Sequence, residues 1–118
     1  MKALVVDDSA VMRKVLIGAL ARVDITDVEQ AADGQEAVNA AKNADFDLIL
    51  MDWNMPNMLG IDALKEIRAL GKTMPIIMVT TEAEKSRVVE AIKAGASNYI
   101  VKPFEPSTIV AKIQDVLK

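Results

Sequence analysis

Short apolar runs alternate with amphipathic stretches along the whole chain. The runs cover residues 3–6, 28–32, 46–51, 75–79 and 99–101, and all except the second are nearly continuous in apolar residues. Continuous apolar runs are typical of parallel strands that are buried on both faces of a sheet. The pattern therefore predicts five strands, of which the second is the least marked.

Helical periods lie between these runs and predict five helices. Ser9 is suited to cap the first helix and Asp33 to open the second. Gly71 and Gly95 stop the third and fourth, and Pro106 lies near the start of the last. The apolar stripes are, in order, Val11, Met12, Val15, Leu16, Ala19 and Leu20; Ala37, Val38 and Ala41; Ala63, Leu64, Ile67 and Leu70; Val88, Val89 and Ile92; and Ile109, Val110, Ile113, Val116 and Leu117.

A strand followed by a helix, repeated five times, indicates an α/β fold with a parallel sheet and helices on both faces. Right-handed crossovers restrict the topology, and the flavodoxin-like order 2-1-3-4-5 fits best. A chain of 118 residues is long enough for one domain with one core, so we expect a single domain over residues 1–118.

Composition narrows the chemistry that this fold can perform. The chain has neither cysteine nor histidine, which excludes disulfides and thiolate metal sites and removes the commonest general base. The net charge is −3 and no basic stripe is visible, so we expect no nucleic-acid partner. No secretory signal is visible, and no apolar run approaches the roughly 18 residues of a membrane span. We therefore expect a cytoplasmic protein that does not bind a membrane.

Polar side chains stand where the predicted strands end. Asp7 and Asp8 follow the first strand, Asp52 the third, Thr80 the fourth and Lys102 the fifth. Ligands of open α/β sheets bind at the carboxyl ends of the strands, at the point where the strand order reverses. In the order 2-1-3-4-5 this point lies between strands 1 and 3, so we expect the three aspartates to converge there.

Converging carboxylates need a cation or protons to offset their repulsion, which is about 4 kcal/mol for a pair 4 Å apart at an effective dielectric constant of 20. Because every available ligand atom is an oxygen, Mg²⁺ is the natural cation. Lys102 and Thr80 are suited to contact phosphoryl oxygens. In a chain without histidine or cysteine, Asp52 is then the expected nucleophile.

Each of these residues also has a simpler interpretation when it is taken alone. Asp8 could cap the first helix, and Asp52 could be an ordinary loop acid. Lys102 could lie in a solvated turn before a proline, and Thr80 could bond the backbone at a strand end. Four strand ends that carry complementary groups favour the functional interpretation of the set.

Five segments give the chain a family resemblance. They are Val5-Val6-Asp7-Asp8-Ser9, residues 51–58 (MDWNMPNM), Val79-Thr80, Ala94-Gly95-Ala96-Ser97 and Val101-Lys102-Pro103-Phe104. In this order and spacing, the chain resembles the receiver domains of bacterial two-component response regulators over essentially its whole length, most closely the chemotaxis regulators of the CheY type.

The resemblance implies a phosphorylation site. Asp52 would accept a phosphoryl group from a phosphohistidine of a sensor kinase. Asp8, Asp52 and the backbone carbonyl of Asn54 would bind Mg²⁺, and Asp7 would act mostly through water. Asn54 and Glu82 match positions that tune self-dephosphorylation, so we expect a short-lived acyl phosphate.

The resemblance also implies a switch. Lys102, in a cis peptide with Pro103, would bridge the phosphoryl group and the acids. Thr80 would move to hydrogen-bond the phosphoryl group, and a half-buried Tyr99 would swing inward behind it. The switched surface of helix 4, strand 5 and helix 5 has as candidate residues Lys85, Val88, Ile92, Tyr99 and Lys112. Packing of Val88 and Ile92 against the sheet is an equal alternative.

Two residues depart from the family pattern. Leu59 stands where an acidic or polar residue is usual, on the loop beside the expected metal site. Thr81 stands where alanine is common, and its extra bulk could narrow the access to Asp52. Neither departure removes a group that the phosphorylation chemistry requires.

The expected function is a monomeric signalling switch and not an enzyme. Its partners would be a sensor kinase, a target such as the flagellar motor switch, and a phosphatase. A phosphorelay shuttle or phosphate sink would use the same chemistry. A phosphatase with Asp52 as nucleophile would need a second aspartate where Asn54 stands, and a flavodoxin-like electron carrier would need a phosphate loop where Asp7-Asp8-Ser9-Ala10 stands.

Overall fold

Strands and helices alternate strictly in the computed structural model, which describes residues 1–118. The strands are β1 (Lys2–Val6), β2 (Asp27–Ala31), β3 (Leu48–Met51), β4 (Ile76–Thr80) and β5 (Asn98–Val101), and the helices are α1 (Ala10–Ala21), α2 (Gly34–Asn43), α3 (Gly60–Ala69), α4 (Lys85–Ala94) and α5 (Pro106–Val116). All strands are parallel, in the order β2-β1-β3-β4-β5, which confirms the predicted fold. None of the helices combines the length and hydropathy that crossing a membrane would require.

The sheet is covered on both faces, and each face has its own apolar core. Helices α2, α3 and α4 pack on one face, and α1 and α5 pack on the other. Every residue of the central strands β3 and β4 is buried, as their continuous apolar runs predict. In β2 only Ala31 is buried, because β2 is an edge strand, and this explains its weak apolar pattern.

The ends of the helices follow the local signals in the sequence. The side chains of Ser9 and Asp33 each accept a hydrogen bond from the backbone N–H three residues further on, at 3.2 and 2.8 Å. Gly95 ends α4 in the left-handed conformation, and Pro106 is the first residue of α5. Gly71 also has a positive φ, but α3 ends two residues before it.

Several of the predicted apolar stripes were too wide. Val11 and Val15 of α1 are 73% and 42% exposed, although Leu16 on the same helix is buried. On α4, Val89 and Ile92 are 41% and 48% exposed. Each helix contacts the sheet along one narrow face, so apolar residues at the margin of a stripe remain in solvent.

Candidate functional site

Three aspartates meet where β1 and β3 end. Asp7 and Asp8 follow β1 directly, and Asp52 follows β3. The parallel register pairs the last residue of β1 with the last residue of β3, so the segments that follow these two strands leave the sheet side by side. As a result, one carboxylate oxygen from each aspartate lies within 4.8 Å of the others.

Lys102 reaches this acid cluster from the end of β5. Its Nζ atom donates to Asp7 Oδ2 at 2.7 Å and to Asp52 Oδ2 at 3.2 Å. Burial by itself would lower the pKa of Lys102, but the hydrogen bond to Asp7 and the charges of both aspartates outweigh it and raise that pKa. Lys102 is therefore held as a cation between two carboxylates, and its peptide bond to Pro103 is cis.

Asp52 lies at the centre of the cluster and is 7% exposed. Burial raises the pKa of its carboxyl group, the charge of Lys102 opposes this shift, and the charge of Asp7 adds to it. The backbone N–H of Trp53 donates to Asp52 Oδ1 at 2.7 Å. The side chain is thus fixed in a partly desolvated position beside a second acid.

Asp7 and Asp8 differ in their surroundings. Asp7 is 1% exposed, and its two oxygens accept hydrogen bonds from the Ser9 N–H and from Lys102. Asp8 is exposed, and no hydrogen bond occupies its carboxylate. Asp8 therefore offers carboxylate oxygens without a competing hydrogen bond, whereas the oxygens of Asp52 already contact the Trp53 N–H and Lys102. Carboxylate oxygens are the ligands that suit Mg²⁺.

Thr80 and Tyr99 both contact the segment that follows β4. Thr80 is fully buried, and its Oγ1 accepts a hydrogen bond from the Glu82 N–H at 3.2 Å. The hydroxyl group of Tyr99 donates to the Glu82 carbonyl oxygen at 2.6 Å. Burial raises the pKa of Tyr99 to about 12, and the charge of Glu82 adds to this shift.

The expectation of a half-buried Tyr99 at the surface was wrong. Tyr99 is 8% exposed, and its ring belongs to the core under α2, α3 and α4. The hydrogen bond to the Glu82 carbonyl satisfies the phenol group inside the protein, so the ring can stay in the core without an unpaired polar atom.

Comparisons with known proteins show the family to which the chain is related. The sequence profile of the response regulator receiver domain matches residues 3–114. The chain is 49% identical over 120 residues to a Campylobacter jejuni chemotaxis protein CheY homolog, covering 99% of this chain and 92% of that protein. It is 48% identical to chemotaxis protein CheY1 of Helicobacter pylori, covering 99% and 97% of the two chains. The solved structure of Vibrio cholerae CheY4 has a TM-score of 0.89 at 41% identity, covering 98% of both chains.

The chain belongs to the response regulator receiver family. Within that family it is a receiver domain of the CheY-like chemotaxis type, which confirms the resemblance drawn from the sequence segments. Receiver domains of this type are signalling switches and not classical enzymes.

The remaining site residues lie in the segments that follow β3 and β4. The Asn54 side chain donates to Glu82 Oε1 at 3.1 Å, so the two expected tuning residues are in contact. Leu59 is 41% exposed directly before α3, and Thr81 is exposed directly after β4. Both departures from the family pattern therefore leave their side chains accessible to solvent.

The candidate switch surface of the receiver divides into exposed and packed residues. Lys85 is exposed, and Ile92 is 48% exposed. Lys112 is half-buried, and its Nζ donates to Asn98 Oδ1 at 3.3 Å. Val88 packs against the core, so the packing alternative holds for Val88 and fails for Ile92.

Sequence reasoning missed three contacts around the site. Arg13 on α1 donates to the backbone carbonyl of Asp7. The guanidinium of Arg87 on α4 lies 5.5 Å from the centre of the Trp53 ring, close enough for a cation–π interaction. Asn57 donates to the carboxylate of Asp33, 24 positions away. The first two have no local sequence signal, whereas Asn57 follows a proline in a turn-like segment that favours a left-handed residue.

Proposed function

We propose that this receiver domain accepts a phosphoryl group on Asp52 from a phosphohistidine of a sensor kinase, and that phosphorylation changes its binding to a chemotaxis target. The observation that carries the proposal is the cluster of three aspartates within 4.8 Å, bridged by Lys102. The chain contains no histidine or cysteine to act as nucleophile or to activate a hydroxyl group, which favours the Asp52 carboxylate as the nucleophile.

The transfer is a displacement at phosphorus. An oxygen of the Asp52 carboxylate forms a bond to phosphorus while the phosphorus–nitrogen bond of the phosphohistidine breaks. The electron pair of that bond stays on the imidazole nitrogen of the kinase, which takes up a proton. Lys102 is placed to contact the transferred oxygens, because its ammonium group already touches the Asp52 carboxylate at 3.2 Å.

The donor atoms fit a magnesium ion. Asp8, Asp52 and the backbone carbonyl of Asn54 would hold Mg²⁺, and Asp7, which is 1% exposed, would act mostly through water. When bound, the ion supplies positive charge against the clustered acids and the phosphoryl oxygens. The exposure of Asp8 leaves the ion a route from solvent.

The switch proceeds through Thr80 and Tyr99. A phosphoryl group adds a charge of about −1.5 to −2 and offers strong acceptor oxygens. The Thr80 hydroxyl group, which is buried next to the site, would turn toward these oxygens, and Tyr99 would keep the inner position that it already occupies in the core. Each charge-assisted hydrogen bond supplies about 1.5–3 kcal/mol, against about 5.5 kcal/mol for a shift from 1:99 to 99:1. Binding of the target supplies the difference.

The output is a protein contact through the surface of α4, β5 and α5. Residues 1–118 would form one receiver domain, which would act as a monomer in the cytoplasm. Its output surface would bind the flagellar motor switch. Exposed Lys85 and Ile92 and half-buried Lys112 would take part in the contact. Binding of the acetyl-phosphate-treated and untreated protein to a motor-switch peptide separates this role from a phosphorelay shuttle, which would bind the peptide in neither state.

Dephosphorylation is tuned by Asn54 and Glu82. Their side chains are joined by an exposed hydrogen bond of 3.1 Å in the segments that follow β3 and β4, so both are open to the water that would hydrolyse an acyl phosphate. We therefore propose a short-lived phosphoryl group, whose loss a phosphatase could accelerate. A measured lifetime of many hours for the phosphorylated protein would contradict this part of the proposal.

The decisive experiment is incubation with acetyl phosphate and Mg²⁺, followed by intact-mass measurement. The protein should gain one phosphoryl group, and the gain should disappear in Asp52→Asn and when Mg²⁺ is chelated. Asp115→Asn, which removes an exposed carboxylate from α5, is the matched control and should be phosphorylated normally. Equal labelling of the Asp52→Asn variant would overturn the proposal.

A further inference from the structure

The loop between β3 and α3, residues 52–59, carries the acceptor and the expected carbonyl ligand of Asn54. Its first half is anchored by Trp53 and Met55, which are 3% and 7% exposed in the core. Its end is anchored by Gly60, whose N–H donates to the Trp53 carbonyl oxygen at 2.8 Å. The middle of the loop needs a separate anchor, because Pro56 and Asn57 are exposed.

That anchor is a hydrogen bond between Asn57 and Asp33. Asn57 has a left-handed backbone with φ 66°, which turns its side chain toward the start of α2. Its Nδ2 donates to Asp33 Oδ2 at 2.7 Å. The other oxygen of Asp33 accepts the Glu36 N–H and thereby caps α2. One buried carboxylate thus ties the loop to a helix end.

A second contact presses the loop against the same helix end. A Cβ atom built on Gly34, the first residue of α2, would lie 2.6 Å from the carbonyl oxygen of Met58. The loop therefore lies directly on the backbone of α2, and a side chain at residue 34 would push it away. Asp33 and Gly34 together fix where the loop can lie.

We infer that Asp33 and Asn57 are positioning residues for the phosphoryl-acceptor site, an inference that rests on the function proposed above. Asn57 is three residues from Asn54, and the Asn54 side chain donates to Glu82 in the segment that follows β4. Between these two anchors the backbone has little freedom. Loss of the Asp33–Asn57 hydrogen bond frees the segment and lets the Asn54 carbonyl move away from Asp8 and Asp52.

Two substitutions delete this hydrogen bond from opposite ends with little other damage. Asn57→Gly removes the amide, and glycine readily adopts the positive φ. Asp33→Ser keeps a helix-capping hydroxyl group but is too short to reach Asn57. Each variant should raise the dissociation constant for Mg²⁺ about three- to tenfold, the equivalent of one hydrogen bond. Titration with MgCl₂, followed by fluorescence of the single tryptophan beside Asp52, measures this.

The exchange Asp33→Asn with Asn57→Asp is the rescue, because it restores the pair with donor and acceptor reversed. It should bind Mg²⁺ within about twofold of the unmodified protein, since one hydrogen bond again joins the two side chains. Asn43→Gly, which removes an asparagine hydrogen bond at the far end of α2, is the matched control and should leave the affinity unchanged.

The outcomes separate the two proposals. If the unmodified protein does not bind Mg²⁺, the proposed function itself fails. If it binds Mg²⁺ and the two single variants bind equally well, the positioning inference is wrong. It is also wrong if affinity and unfolding temperature fall together and the exchange variant does not restore the affinity, because the pair would then be only structural.

Discussion

Lys102 shows, at the scale of single residues, how one side chain makes the acid cluster tolerable. Its ammonium group lies 2.7 Å from an oxygen of Asp7, a residue that is 1% exposed. An unpaired carboxylate in such a position would be costly, because burial disfavours the charged form. The same group contacts Asp52, so it stabilises the fold and prepares the acceptor at once.

Lys102→Ala should therefore destabilise the protein. It leaves Asp7 buried without its cation, and breaking a buried pair from one side costs on the order of 3 kcal/mol. Urea denaturation at neutral pH without Mg²⁺ measures the change. Lys112→Ala removes a half-buried lysine on α5 that contacts an amide and not an acid, and it should cost less than about 1 kcal/mol. Similar losses in both variants would refute the assignment.

The phenol group of Tyr99 should lose its proton at a higher pH than an ordinary tyrosine. Its pKa is about 12 in the folded protein against an ordinary 10.0, so the phenol stays neutral longer in the folded than in the unfolded chain. Its contribution to stability is fully present below pH 10.0 and declines as the pH rises toward about 12. Ultraviolet absorbance of tyrosinate follows this directly, because Tyr99 is the single tyrosine. A midpoint near the ordinary value would contradict the buried position, and Tyr99→Phe should show no transition.

At the scale of elements, the start of α3 combines two unusual features. Leu59 is the N-cap residue but makes no side-chain hydrogen bond to the first turn. Gly60 follows it, and a Cβ atom there would lie 1.8 Å from the Asp52 carbonyl oxygen. The helix start therefore packs directly on the backbone of the acceptor, and its first N–H groups lack the usual side-chain partner.

A polar cap at residue 59 should stabilise α3. Leu59→Ser offers a hydroxyl group to the open N–H groups, whereas Leu59→Ala removes the same exposed side chain without offering a cap. The serine variant should be more stable than the alanine variant by about 1 kcal/mol. Thermal unfolding of the two variants, compared with each other, measures the difference. Equal stability would mean that water already satisfies this helix end.

At the scale of the whole molecule, the carboxyl edge of the sheet concentrates negative charge while both faces are closed by helices. The acids occupy the end of the two neighbouring strands β1 and β3, and Lys102 enters from the edge strand β5. Because the strands are parallel, every one of these groups arrives at the same edge. The fold thus builds a site in which Lys102 offsets only part of the repulsion among the three acids when no metal ion is bound.

Asp8→Asn should raise the stability of the metal-free protein. It removes one of three negative charges within 4.8 Å, a repulsion of about 1–3 kcal/mol according to how well solvent screens exposed Asp8. Mg²⁺ should stabilise the unmodified protein increasingly as its concentration rises above the dissociation constant, and this gain should shrink in the variant. Thermal unfolding with and without MgCl₂ tests both effects. The control Asp27→Asn, on the exposed edge of β2, should change neither the stability of the metal-free protein nor the gain from Mg²⁺. If the metal-free Asp8→Asn protein is less stable than the unmodified protein, the argument from repulsion is refuted.

Local pattern was sufficient for the order of the elements and for several of their ends. The continuous apolar runs of β3 and β4, the caps at Ser9 and Asp33, and the turn at Gly95 all follow from interactions within a few residues. The same pattern overstated the buried face of α1, where Val11 is 73% exposed. Helix rotation against a sheet depends on packing partners that a periodic pattern does not name.

The sequence by itself determined which chemical groups stand at the strand ends, because the alternation of strands and helices places Asp7, Asp52 and Lys102 at one edge of a parallel sheet. Only the tertiary structure decided which atoms meet. Lys102 bonds Asp7 across 95 positions, and Asn57 bonds Asp33 across 24. Such contacts depend on strand register and on the path of loops, which are fixed when the two cores close around the sheet and not by any local segment.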